Sequence, residues 1–149
     1  LAIRAVAKLK NVSLLIVGDG ELKGDIEALG TRLLGNRFKI MKLLFEKMPE
    51  VYRSCDLFTL PSVSSHSFEI VIAEAMATNL PVVVNDDPIR KEIVGEAGIL
   101  VDPTNTDAYV QVLAKALKKN WGDKPRIQAE KFDWDKIALE YEKLFNKLV

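Results

Sequence analysis

The chain has 149 residues, 48% of them apolar and 28% charged, which is enough for one globular domain with its own core. Its 21 basic and 21 acidic side chains cancel, which argues against a nucleic-acid partner or a membrane surface held through net charge. The single cysteine, Cys55, excludes a disulfide framework, and no apolar run reaches the roughly eighteen residues of a membrane span, so a cytoplasmic protein with no integral membrane segment is expected.

Leu1, Ala5, Val6 and Leu9 stand at helical spacing without a capping residue ahead of them, so the chain is expected to begin inside an element. Ser13-Leu14-Leu15-Ile16-Val17 has the unbroken hydrophobicity of a central parallel strand, and Gly18-Asp19-Gly20 turns out of it. The glycines would let a backbone approach a ligand, and the same tripeptide suits a plain strand-to-helix turn with Asp19 solvated. Leu22, Ile26, Leu29 and Leu33 predict a helix ending near Gly35. Phe38-Lys39-Ile40-Met41 reads as a second strand, and Lys42 behind it faces either a phosphate or solvent. Met48, Val51 and Tyr52 predict a short helix, and Asp56-Leu57-Phe58-Thr59-Leu60 a buried strand that Pro61 stops.

A polar loop with Ser64, Ser65, His66 and Ser67 follows, then a helix for which Ser67 is the expected N-cap. Phe68, Val71, Ile72, Ala75 and Met76 mark its buried stripe. Glu74, about one and a half turns in, needs hydroxyl or cationic company, because a carboxylate among apolar neighbours is costly to bury alone. Val82-Val83-Val84 begins the next strand and delivers Asn85-Asp86-Asp87-Pro88. Two adjacent aspartates lack the spaced oxygen set of a hard cation, so a turn with a helix-capping aspartate is expected rather than a metal site. Thr106-Asp107 caps a helix with Tyr109, Val112, Leu113, Ala116 and Leu117 on one face, and Trp134, Ile137, Ala138, Tyr141, Leu144, Phe145 and Leu148 trace a last apolar stripe. Packing of that stripe on this domain is the expectation; exposure to a partner is the alternative.

Strands alternating with helices make an α/β fold, in which ligands gather at the carboxyl ends of the strands beside helix amino termini. The stretch Pro61-Ser62, His66 to Ala77 and Leu80-Pro81-Val82-Val83 resembles the donor-binding half of family-four retaining glycosyltransferases, the group-one glycosyl transferases. Their signature is two glutamates eight positions apart, a phenylalanine two after the first, and Glu-Ala-Met-Ala at the second. Gly18-Asp19-Gly20, Met48 to Asp56, and Glu92, Gly95, Ala97, Gly98 and Asp102-Pro103 extend the resemblance across the chain.

The resemblance implies a Rossmann-like three-layer parallel sheet, the C-terminal half of a GT-B glycosyltransferase lacking its first strand. It gives Glu74 the ribose hydroxyls of a nucleotide-diphosphate sugar and places His66 where the first glutamate holds the transferred sugar. Ser67 and Glu69 stand where the family has glycines, and Ser67, Phe68, Glu69 and Ile70 form the helix end that meets the donor phosphates. Lys42 stands where the family has a glycine near the base, beside Gly18, Asp19 and Gly20 at the donor cleft. No metal or other cofactor is implied, only the nucleotide-sugar as substrate. The partner implied is an acceptor-binding amino-terminal domain outside these residues, toward which the terminal helix reaches, with a place at the inner membrane face where the acceptor is a lipid. The alternative is a non-catalytic nucleotide-binding or interaction module that keeps this fold.

Overall fold

The computed structural model describes residues 1–62 and 68–148. Helices and strands alternate as α1 (Ala2–Ala7), β1 (Leu14–Val17), α2 (Lys23–Leu34), β2 (Phe38–Met41), α3 (Met48–Arg53), β3 (Phe58–Leu60), α4 (Val71–Ala77), β4 (Val82–Asn85), α5 (Pro88–Val94), β5 (Gly98–Val101), α6 (Thr106–Lys118), α7 (Lys124–Ala129) and α8 (Trp134–Phe145). Every pairing is parallel. One ladder joins β1 to β2, Leu14 opposite Phe38; a second runs β3-β4-β5, Phe58 opposite Val82 and Val82 opposite Gly98. In the doubly wound order 3-2-1-4-5-6 these are positions 3-2 and 4-5-6, and no described strand lies between β1 and β3.

Side-chain alternation along β4 builds the three layers. Val83 faces one core with Ile3, Val6, Leu34, Tyr109 and Leu113, which α1, α2 and α6 cover and which takes in Leu14 and Ile16 of β1. Val82 and Val84 face the other, with Tyr52, Ile72, Met76, Ile93 and Val94 from α3, α4 and α5. All four residues of β4 are buried, as continuous hydrophobicity predicts for a central strand. β1 and β3, expected to be as deep, are half-buried, since among the described residues each has a strand neighbour on one edge only. Gly98 is required where it stands: a Cβ there would lie 2.2 Å from the Val82 carbonyl oxygen.

Three expectations change. The central helix starts at Val71 with Ile70 as its N-cap and no side-chain cap, rather than at Phe68. Glu69 sets this limit, because its φ of +51° lies in the left-handed region that a right-handed helix cannot include. The cap of α6 is Asn105, whose Oδ1 accepts the Ala108 N–H at 3.1 Å; Thr106 is already helical and Asp107 pairs with Lys8 at 2.7 Å. Finally, α8 buries none of its residues: Trp134 is 71% exposed, Tyr141 57% and Phe145 59%. The stripe predicted to pack on this domain faces outward. Asp133 caps it through the Asp135 N–H, so the helix is locally well built and lacks only a covering surface.

Candidate functional site

The residues singled out in the sequence gather in the loops at the carboxyl ends of β1 to β4, in three groups. The first joins the β1 and β2 loops. Gly18 donates its N–H to the Met41 carbonyl at 2.9 Å, which brings the loop of Gly18, Asp19 and Gly20 against Lys42. Lys42 Nζ then donates to Asp19 Oδ2 at 2.8 Å, and Lys23 Nζ lies 3.9 Å from the other oxygen. The Lys42 hydrogen bond holds the Asp19 carboxyl below its usual range and raises the Lys42 ammonium. Asp19 and Lys42 are both exposed, so the pair is an open one that an anionic ligand could share.

The second group is a buried polar cluster around Arg90, whose side chain is 0% exposed. Its Nε donates to Glu69 Oε2 at 3.0 Å, a terminal nitrogen donates to Ser62 Oγ at 2.9 Å, and the other pairs with Asp87 Oδ2. Ser62 Oγ in turn donates to Glu69 Oε1 at 2.8 Å, and Asn85 Nδ2 to Asp87 Oδ2 at 2.7 Å. Asp87 also caps α5 by accepting the Arg90 N–H at 2.9 Å, which makes it the capping member of the two adjacent aspartates. Burial acts to raise the Asp87 carboxyl, but the backbone and guanidinium bonds from Arg90 outweigh it and the net shift is downward. Burial acts to lower Arg90, and its two carboxylate partners more than restore it. Glu69, expected at the donor phosphates, has its carboxylate turned onto Arg90 and Ser62 instead. The sequence carried one unused signal for this cluster: Arg90 falls on the same helix face as Ile93 and Val94, so its charge had to be buried and paired.

The third group is Glu74 with Tyr52. Glu74 lies in the first turn of α4, earlier than expected because the helix starts late. Its Oε2 accepts the Tyr52 hydroxyl at 3.0 Å, which is the hydroxyl company its position demanded. Tyr52, read from the sequence only as part of a short helix, is 4% exposed, and its ring stands edge-on to Phe58 of β3, centroids 5.9 Å apart. Burial and the Glu74 carboxylate both push its phenol far up, so it remains a donor. A buried tyrosine needs a partner for its hydroxyl, which was the available clue. Phe68 and Ile70 are exposed on the approach to α4, and Phe68 meets the Phe132 ring edge-on at 5.4 Å. Ser64, Ser65, His66 and Ser67 lie outside the described residues. Among the described residues no group of three or more His, Cys, Asp or Glu could hold a metal ion, and no helix is long and apolar enough to cross a membrane.

Residues 1–119 match the family model of glycosyl transferases group 1. An uncharacterised glycosyltransferase of Methanocaldococcus jannaschii is 35% identical over 153 aligned positions, covering 93% of this chain and 38% of the relative. A sulfoquinovosyl transferase of Arabidopsis thaliana is 30% identical, covering 85% of this chain and 26% of the relative. Among solved structures, HepE of Anabaena in complex with UDP superposes with a TM-score of 0.85 at 24% identity, over 97% of this chain and 44% of that one. The chain thus spans less than half the length of these relatives, and the fold it shares with them is that of GT-B glycosyltransferases. On the match of 1–119 and these identities, the chain belongs to the group 1 glycosyl transferase family.

Proposed function

We propose that this chain is the donor-binding domain of a retaining glycosyltransferase, holding a nucleotide-diphosphate sugar while its glycosyl group passes to an acceptor bound on a second domain. One observation carries the reading: the Glu74 carboxylate stands in the first turn of α4, at the carboxyl end of the sheet, fixed on one oxygen by Tyr52 with the other accepting no bond from a described residue. A carboxylate so placed suits the vicinal hydroxyls of a ribose, each a donor. Lys42 supplies the exposed cation for the phosphates and can exchange Asp19 for a phosphate oxygen. His66 in this reading meets the transferred sugar.

Transfer with retention returns the new glycosidic bond to the face the nucleotide leaves. The bond from the anomeric carbon to the diphosphate oxygen breaks, its electron pair stays on the diphosphate, and the acceptor oxygen bonds the same carbon and loses its proton. The protein's part is to stabilise charge on the departing diphosphate and to align the acceptor oxygen on the face that the diphosphate leaves. No metal enters this proposal; the leaving charge falls to cations and backbone N–H groups. The acceptor domain is proposed as the surface that covers α8, whose apolar stripe has none here. The reading places the enzyme in the cytoplasm, at the inner membrane face where the acceptor is a lipid.

A non-catalytic nucleotide-binding module is the second reading, favoured by the mutual pairing of Glu69 and Arg90, which withdraws both from a donor. The test is calorimetric titration of the full-length protein with UDP, GDP, ADP and their sugars, beside Glu74→Gln. Saturable binding of one nucleotide, weakened about tenfold or more in the variant, is expected. Equal affinity in both proteins refutes the role of Glu74. Binding without any turnover of the nucleotide-sugar over a panel of acceptors favours the second reading.

A further inference from the structure

Glu74 has three rotatable bonds and lies half-buried on a short helix, yet one partner removes most of that freedom. The Tyr52 hydroxyl reaches its Oε2 at 3.0 Å, and no other described side chain bonds the carboxylate. Tyr52 is itself immobile: its ring is 4% exposed within the core formed by Ile72, Ala75 and Met76, and is braced edge-on by Phe58, at 5.9 Å and 77°. Phe58 belongs to β3, where it pairs with Val82 of the fully buried β4. A line of contact therefore runs from the centre of the sheet through two aromatic rings to one carboxylate oxygen.

We infer that Tyr52 is the positioning residue of the nucleotide site, fixing the Glu74 carboxylate so that Oε1 and the remaining lone pair of Oε2 face two neighbouring ribose hydroxyls. The inference rests on the reading of Glu74 as the ribose-binding group. Its chemistry is that of a carboxylate, which offers about four acceptor sites; Tyr52 takes one and selects which of the rest point outward. A free carboxylate would have to be ordered by the ligand, at a cost in affinity. The raised phenol supports the arrangement, because Tyr52 keeps its proton and its role as donor wherever the protein is folded. Tyr52 touches no substrate and acts through Glu74 alone.

The test uses Tyr52→Phe, which removes the hydroxyl and keeps the ring against Phe58. Full-length wild type, Tyr52→Phe, Glu74→Gln and the double variant are titrated with UDP, GDP and ADP and with their 2′,3′-dideoxy counterparts. Wild type is expected to prefer the ribonucleotide, and Tyr52→Phe to lose about five- to twentyfold in ribonucleotide affinity while binding the dideoxy form as wild type does. Adding Tyr52→Phe to Glu74→Gln should change nothing further. A merely structural tyrosine would weaken both ligand forms alike, and that result overturns the inference, as does an unchanged ribonucleotide affinity in Tyr52→Phe beside a selective loss in Glu74→Gln. Should Glu74→Gln itself show no selective loss, the ribose role of Glu74 fails and takes the inference with it. Thermal melting of each variant confirms that the fold is kept.

Discussion

Replacing Arg90 with methionine removes a cation and leaves its shape. Arg90 is wholly buried, and its loss strips Glu69 of its only ion pair among the described residues and Asp87 of one of its bonds. Glu69 keeps the Ser62 hydroxyl, and Asp87 keeps Asn85 and the backbone N–H at residue 90, so neither carboxylate is fully orphaned. Breaking a buried pair from one side costs about 3–5 kcal/mol, and the surviving bonds place this case near the lower figure, about 3 kcal/mol. For a domain of this size that lowers the melting temperature by about 6–12 °C. The measurement is urea unfolding and calorimetry at pH 7, repeated down to about pH 4. Asp87 owes part of its lowered carboxyl to the Arg90 guanidinium, so the gap between wild type and variant should narrow as pH falls and that carboxylate takes its proton. A gap under about 1 kcal/mol at pH 7, or one that does not change with pH, refutes the account of the cluster as a buried ion network.

Wild type has its own acid limit. The folded Asp87 carboxyl lies below its ordinary 3.8, so the unfolded chain takes the proton first; the stabilisation is complete above about pH 5 and is lost as pH falls through the folded value. A stability profile that stays flat from pH 5 to pH 2 contradicts this. Gly98→Ala drives a methyl group into the Val82 carbonyl and should destabilise by about 2 kcal/mol or more, read as a fall in the thermal midpoint; a neutral result would mean that β4 and β5 separate freely. Lys42→Ala removes an exposed side chain and should leave the melting temperature unchanged while weakening nucleotide binding in the same calorimetric titration. Trp134→Ser with Phe145→Ser should not lower the melting temperature of residues 1–149 alone, because neither side chain is buried by them; a marked drop would show that α8 does pack on this domain.

The sequence was legible where one period ruled. β2 begins and ends at the predicted residues, α5 is capped by one of the two adjacent aspartates as expected, and the alternation along β4 sorts its side chains into two cores. Legibility failed where a neighbour outside the local pattern decided. A glutamate at residue 69 gives no local hint of a left-handed backbone, because what holds it there is Arg90, twenty-one residues on. The α8 stripe has the periodicity of a packed helix, and periodicity does not say what packs on it. In the site, Glu74 advertised its need for a partner while Tyr52 concealed that it was the partner, because a tyrosine in an apolar stripe reads first as core.

The two ladders carry different halves of the site. Asp19 and Lys42 stand on the β1-β2 ladder, and Glu74 and Arg90 are anchored to the other. A ligand that grips Lys42 with its phosphates and Glu74 with its ribose therefore ties one ladder to the other. Amide exchange along β1 and β3 would slow together when such a ligand binds, in strands whose own atoms it never touches.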